Sequence, residues 1–336
     1  MKNLVFVPIL AVAPLLAHGH HSNAEYDSSV VQELQGEILE VSWRNPHIEL
    51  VLRTDGIDNA AAIWDIEAQD VNSLRRRGLD GSQISVGDIV RVAGNVSTTR
   101  PNNISVSNLL LPNGTEISIR GNTQPRWSTE NIGFQRTSAE QALAESGPGE
   151  GLFRVWMSAA PGGFPAPLPL TASAQAVREN WNPANDPTMQ CIASGMPAAM
   201  RLSPPHPIDL REDGDNILLR VELFDIMRTI HMNAETDTRD QAASALGYSV
   251  GRWEGETLVV RTSNIDWPYF DHVGSIPQGA SVETTERFTV GDDQNRMVYE
   301  LTVNDASTFS QPVSGRWNMA WRPDMVVEPF ECVAAE

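Results

Sequence analysis

Positive charge is scarce in this chain. Against 43 aspartates and glutamates stand 24 lysines and arginines, a formal net charge of −19. So acidic a polypeptide offers no positive face with which to displace counterions from nucleic-acid phosphates. The charge suits a solvated, self-repelling protein instead. Cysteine is scarcer still: Cys191 and Cys332 are the whole supply. In an oxidising compartment they are expected to join as a disulfide tying the end of the chain to the start of its second domain, worth roughly 2–4 kcal/mol. The alternative is two free thiols, neither in a sequence context that favours a thiolate. Beyond the first residues no apolar run approaches the ~20 residues a membrane span needs. No glycine-rich loop follows a strand as phosphate binding requires, so a nucleotide cofactor is not expected, and neither a Gly-x-Ser-x-Gly elbow nor a His-Glu-x-x-His pair is present. Aromatics make up 7% of residues while Gly (24) and Pro (22) are plentiful, which favours a turn-rich β protein with few long helices.

At 336 residues the chain has the length of two domains. Residues 1–19 read as a signal peptide: a short basic start at Lys2, an apolar run, then Ala17 and Gly19 as small residues before a cleavage point. Export to the periplasm or beyond is the expectation, and with no cysteine closing the apolar run, no lipid anchor. Residues 20–121 form the first domain, 122–150 a polar linker rich in Pro, Ser and Gly, and 151–336 the second domain.

In the first domain the pattern is of short strands bounded by turns. Residues 36–43 alternate, Asn45-Pro46 breaks the chain, and 47–52 continue as a second strand. Strands follow at 62–68, 86–92 and 103–110, with a short helix over 70–77 and an edge extension at 115–119. Three strands, a helix and two strands is the order of an OB-type five-stranded barrel. The Arg75-Arg76-Arg77 run fits the solvated, dipole-favoured end of the helix better than a nucleic-acid groove.

The second domain reads as antiparallel β, a closed or nearly closed barrel or sandwich. Strands are expected from 151 to 156, at 216–223, 227–232, 257–262, 281–290 and 296–303, and near 326–332, with a helix capped by Thr171. The clearest signal is at 247–262, where a glycine-rich turn holding Arg252, Trp253 and Glu254 between Gly251 and Gly255 launches a β-branched strand. Trp253 reads as an anchor for packing. Alternation places Met297, Tyr299, Leu301 and Val303 on one face, and Glu286 with Phe288 opposite Arg287.

These motifs resemble a known family. His20-His21-Ser22, Val41-Ser42-Trp43-Arg44-Asn45-Pro46-His47, and the stretch from Arg75-Arg76-Arg77-Gly78-Leu79 to Val86-Gly87-Asp88 are similar to the bacterial secreted domain-of-unknown-function family 6152. The second domain resembles a larger module often fused to it, through Asp186-Pro187, Cys191, Gly195-Met196-Pro197, Arg228 to Met232, the 247–260 stretch, Glu286-Arg287-Phe288 and Glu331-Cys332. Departures are Glu256, where aspartate is usual, and Ile48-Glu49, where an aromatic usually follows the histidine. The resemblance implies export and a β-rich fold, and no particular activity.

Two constellations carry chemistry. His18, His20 and His21 gather at the cleavage boundary. Cleavage after Gly19 makes His20 the first residue, whose α-amine and imidazole chelate, with His21 or His47 completing a nitrogen-rich site suited to Cu(II). Cleavage after Ala17 leaves His18-Gly19-His20, whose amine, backbone amides and third imidazole form a square-planar site. Set against this, histidines at a cleavage point are also an ordinary polar start. The second constellation is a ligand-binding or enzymatic site for a small hydrophobic or carboxylated molecule in the second domain, drawn from Arg228, His231, Arg252, Trp253, Glu254, Glu286 and Arg287. Its alternative is that these glutamates and arginines pair with one another across strands. A purely structural protein is the third reading.

Overall fold

A computed structural model describes residues 26–55, 61–120, 123–134, 151–159, 162–182, 185–200, 206–233 and 240–334. The signal-peptide reading and His18, His20 and His21 fall outside them. Two closed β-barrels follow one another along the chain, and among the described residues no helix is long and apolar enough to cross a membrane.

The first barrel is built from β1 (Gln32–Ser42), β2 (Glu49–Asp55), β3 (Ala61–Glu67), β4 (Ile89–Val96) and β5 (Asn103–Leu110), with α1 (Val71–Arg75) between β3 and β4. The order β3-β2-β1-β4-β5 closes when β3 pairs with β5 in parallel, Ile66 opposite Ile104. This is the OB-like arrangement expected from the sequence. Long β1 serves both halves of the barrel, pairing with β2 and with β4. At Gly36 the strands run so close that a Cβ would lie 2.1 Å from the Arg53 carbonyl oxygen, so only glycine fits. Ile38, Leu52, Ile66, Val92, Ile104 and Leu109 fill the interior. Helix α1 packs beneath them through Leu74, its N-terminus capped by Asp70, which accepts from the Ser73 amide at 2.7 Å. Two short strands, β6 (Glu116–Ser118) and β7 (Asn131–Ile132), extend the sheet from β5. Part of the stretch read as linker therefore belongs to the first unit.

The second barrel comprises β8 (Val155–Ser158), β9 (Ile208–Asp213), β10 (Asn216–Val221), β11 (Ile226–His231), β12 (Tyr248–Glu254), β13 (Thr257–Ser263), β14 (Glu283–Val290), β15 (Arg296–Asn304) and β16 (Val313–Trp321). Helix α2 (Ala172–Glu179) lies between β8 and β9, capped by Thr171 as its sequence predicts. Neighbours are antiparallel except β11 and β12, whose parallel pairing needs the long connection between them. The barrel closes where β16 meets β8 and β8 meets β9.

The structure corrects the sequence reading at three places. Residues 248–254 are a strand, not a turn: Gly251 is buried in it, where a Cβ would fall 2.5 Å from the Met232 sulfur. The turn is at Gly255, whose φ is +63°. Trp253 is not an interior anchor; it is 46% exposed and packs edge-on against Phe153. Nor is there a strand at 326–332. The last strand is β16, whose buried Val313, Gly315, Trp317 and Met319 alternate with exposed residues.

After β16 the chain returns to the first barrel. Cys332 forms the expected disulfide with Cys191 and bridges to Asn45. Asn45 is buried at the joint, donating to the Phe330 carbonyl and, at 3.0 Å, to Asn72, while accepting from the Val71 amide at 2.8 Å. Arg76 of the first barrel forms an ion pair with Glu222 of the second, a carboxylate wholly removed from solvent. Phe330, equally buried, packs against His206 and Phe224.

Candidate functional site

The seven candidates of the second barrel divide between its inside and its outside. On β11, Arg228 alternates with buried Ile226 and Ile230 and so points inward, as does Glu286 beside Phe288 on β14. Arg228 is 3% and Glu286 0% exposed. Every nitrogen of the guanidinium is used: Nε donates to Ser249 at 2.9 Å, Nη1 to Glu286 at 2.9 Å, and Nη2 to Thr262 at 2.7 Å and to the second Glu286 oxygen. Tyr299 of β15 donates to Glu286 at 2.9 Å. Burial works against the charged guanidinium, but the adjacent Glu286 carboxylate outweighs it and holds the Arg228 pKa above its usual value. Burial, and then the same carboxylate, push Tyr299 well above its own. The phenol stays protonated and donates to the carboxylate. Such a network neutralises and satisfies itself, leaving no fork with which to grip a substrate.

Of the other five, His231, Arg252, Glu254 and Arg287 lie on the outer face, while Trp253, opposite buried Leu258, sits at the exposed end of β12. Arg252 and Arg287 both donate to Glu254, at 2.6 and 3.0 Å, all three being well exposed. His231 stacks on Tyr248 with ring centroids 4.4 Å apart. His231 and Glu254 thus do not converge on the Arg228 group; the arginines and glutamates pair with one another, within β12 and between β12 and β14 outside, and between β11 and β14 inside.

In the first barrel the geometry is different. His47, just ahead of β2, places Nδ1 2.8 Å from Oε1 of Glu67 at the end of β3. The other oxygen of Glu67 accepts from the Tyr26 hydroxyl at 3.0 Å and from Arg100 at 3.3 Å. Arg100 also donates to the Tyr26 hydroxyl at 2.6 Å, and that oxygen lies 3.0 Å from the Asn103 side-chain oxygen, so its one proton is shared between Glu67 and Asn103. Burial disfavours the imidazolium, yet Glu67, followed by Asp70 and Glu49, more than compensates, so the His47 pKa is raised. Burial, and then the charge of Glu67, raise Glu49 in turn. The carboxylate fixes the ring's orientation through one nitrogen, which is how proteins hold a histidine whose other nitrogen meets a metal. Sequence spacing revealed His47 but not Glu67, Arg100 or Tyr26, since their convergence depends on barrel register and closure. Among the described residues no group of three or more His, Cys, Asp or Glu is disposed to hold a metal ion. A site at His47 would therefore draw on the residues preceding Tyr26.

Residues 9–103 match a family of unknown function, DUF6152. The match takes in His20, His21, Tyr26, His47, Glu67, Arg100 and Asn103, so the whole cluster lies within it. The larger barrel lies beyond. None of the curated proteins matches the chain. Solved structures similar to it include a single-residue mutant of the fluorescent protein UnaG, at 15% identity with a TM-score of 0.24, covering 50% of this chain and 94% of that one. Wild-type UnaG is similar at 13% identity and TM-score 0.22, covering 50% and 95%.

Proposed function

We propose that the DUF6152 region captures Cu(II) in an exported protein, with His20 and His21 supplying nitrogen donors from the mature N-terminus and His47 a third through Nε2. The observation that carries this reading is the Glu67 carboxylate, which holds His47 Nδ1 on one oxygen and Tyr26 on the other. Tyr26 stands five residues beyond His21, and five residues span at most roughly 18 Å. The pinned tyrosine thus tethers the N-terminal histidines within reach of an oriented imidazole. Imidazoles with an α-amine are a donor set suited to Cu(II), and bound copper would supply a Lewis-acidic or redox-active centre. Glu67 keeps the ring in position, and the ligands bind in their deprotonated forms.

The test begins with the intact mass of the protein recovered after export, followed by copper titration of the chelated chain. A chain starting at His20 that binds about one copper, and loses roughly 10–100-fold in affinity in Glu67→Gln, supports the reading. Affinity unchanged in both His47→Ala and a variant with one residue added before His20 removes it.

A further inference from the structure

Arg154, just ahead of β8 at the rim of the second barrel, stands between two indoles. Its guanidinium carbon lies 4.9 Å from the Trp156 ring centre and 4.7 Å from that of Trp321. Nε donates to the Gly151 carbonyl at 2.8 Å, but Nη1 and Nη2 are shielded from solvent and meet no acceptor among the described residues. Their four N–H groups are a donor set that buried side chains rarely leave unused. Burial lowers the Arg154 pKa, though a guanidinium so displaced still carries its charge at neutral pH. The ring faces offset some of the lost hydration through cation–π attraction. A ring face is at best a weak acceptor for an N–H group, so Nη1 and Nη2 are left without a strong one.

The same residue lines a concavity of about 490 Å³. Two other arginines line it, and both are committed: Arg211 to Asp209 at 2.6 Å, and Arg322 to Asp324 through bonds of 2.8 and 2.6 Å. Arg211 is held through Nε and keeps its other nitrogens in solvent, whereas Arg154 has its terminal pair both shielded and unengaged among the described residues. Around it stand apolar walls from Trp321, Phe153 and Met325.

We infer that this concavity is a binding site for a small carboxylate with an apolar body, its two oxygens taken by Nη1 and Nη2 of Arg154 and its body laid against Trp321 and Phe153. A planar guanidinium matches the two oxygens of a carboxylate in a bidentate pair. Glu212 also lines the concavity, so its net positive charge is small, which disfavours a phosphate dianion and leaves a monoanion as the anion it can take. Entry requires rim side chains to swing aside from the shielded nitrogens. Phe153 is exposed and Met325 unbranched, so both can move at small cost. The site is independent of the copper reading, and its test uses chelated protein.

The experiment is calorimetric titration of the full chain with benzoate, naphthoate and octanoate, each beside its methyl ester. Saturable one-to-one binding of an acid, weakened roughly tenfold or more in the ester, is the expected result. Arg154→Met should lose a similar factor, and Arg154→Lys should recover part of it, since an ammonium keeps the charge without the fork. Equal affinity for acid and ester on the unaltered protein overturns the proposal. So does a folded Arg154→Met that binds the acid as the native chain does, or the absence of saturable binding by all three acids.

Discussion

Arg228 and Arg154 are two shielded guanidiniums of one barrel, and they are treated in opposite ways. In the interior every nitrogen of Arg228 has an acceptor, and the counter-charge is the facing Glu286. At the rim Arg154 has one carbonyl and two indole faces, with both terminal nitrogens unengaged among the described residues. A buried cation that meets its own carboxylate is architecture, because its binding capacity is spent. One that lacks it is a cost to the fold unless something else supplies the acceptor. Charge alone therefore says little about where this protein meets other molecules, whereas unspent hydrogen-bonding capacity says more.

The comparison breaks most visibly at Arg228. Arg228→Met leaves Glu286 buried without its cation and should destabilise the chain by about 3–5 kcal/mol, measured by denaturant unfolding. Replacing both residues, as Arg228→Met with Glu286→Leu, should recover most of that loss; a double variant as unstable as the single one would show that the ion pair itself is needed. The next largest effect belongs to a carboxylate with no ion pair among the described residues. Glu116 is fully buried and accepts from the amides of Arg126, Trp127 and Ser128 and from Asn108, at 2.7–2.9 Å. Burial pushes its pKa up, but those donors prevail and hold it below the usual carboxylate value. With the folded pKa depressed, its contribution is fully present above the unfolded value of ~4.3 and fades as pH falls through the folded one. Glu116→Gln should cost about 1–3 kcal/mol at neutral pH, and the gap from the native chain should narrow in acid. A gap independent of pH would show that the carboxylate's charge plays no part. Smallest is Arg154→Met, which removes unsatisfied donors along with cation–π attraction and should shift stability by less than about 1 kcal/mol in either direction. A loss as large as that of Arg228→Met would make the rim arginine architectural too.

The sequence shows one half of this comparison and hides the other. Period-two alternation sets Glu286 beside Phe288 on one face, and a pairing of glutamate with arginine across strands is among its readings. Strand β5 and the Thr171 cap are equally legible, since both depend on neighbouring residues. The seams are not. The strand expected from 151 to 156 catches only the first two residues of four-residue β8, and nothing local marks β16 as its partner. Strand β16 does carry a readable alternation, from Val313 to Met319, in a stretch where the sequence reading places no strand. Arg154 stands two residues from Trp156, but its second indole comes from Trp321 and is brought near only by closure. For His47 the partner Glu67 is on another strand and Tyr26 on a third segment, so spacing reaches the histidine and misses what orients it.

The tail that runs from β16 back to Asn45 also bears on how the molecule comes into being. A chain made from its N-terminus lays down β8 long before β16 exists, so the edge that β8 turns to β16 stays open while the rest of the second unit is produced. Contacts between such distant parts of a chain are slow to form, and the open intermediate is the species most exposed to aggregation. The joint is later still, because Phe330 and Cys332 follow β16 in the chain. A chain halted just after β16 would possess two barrels and lack the clasp between them.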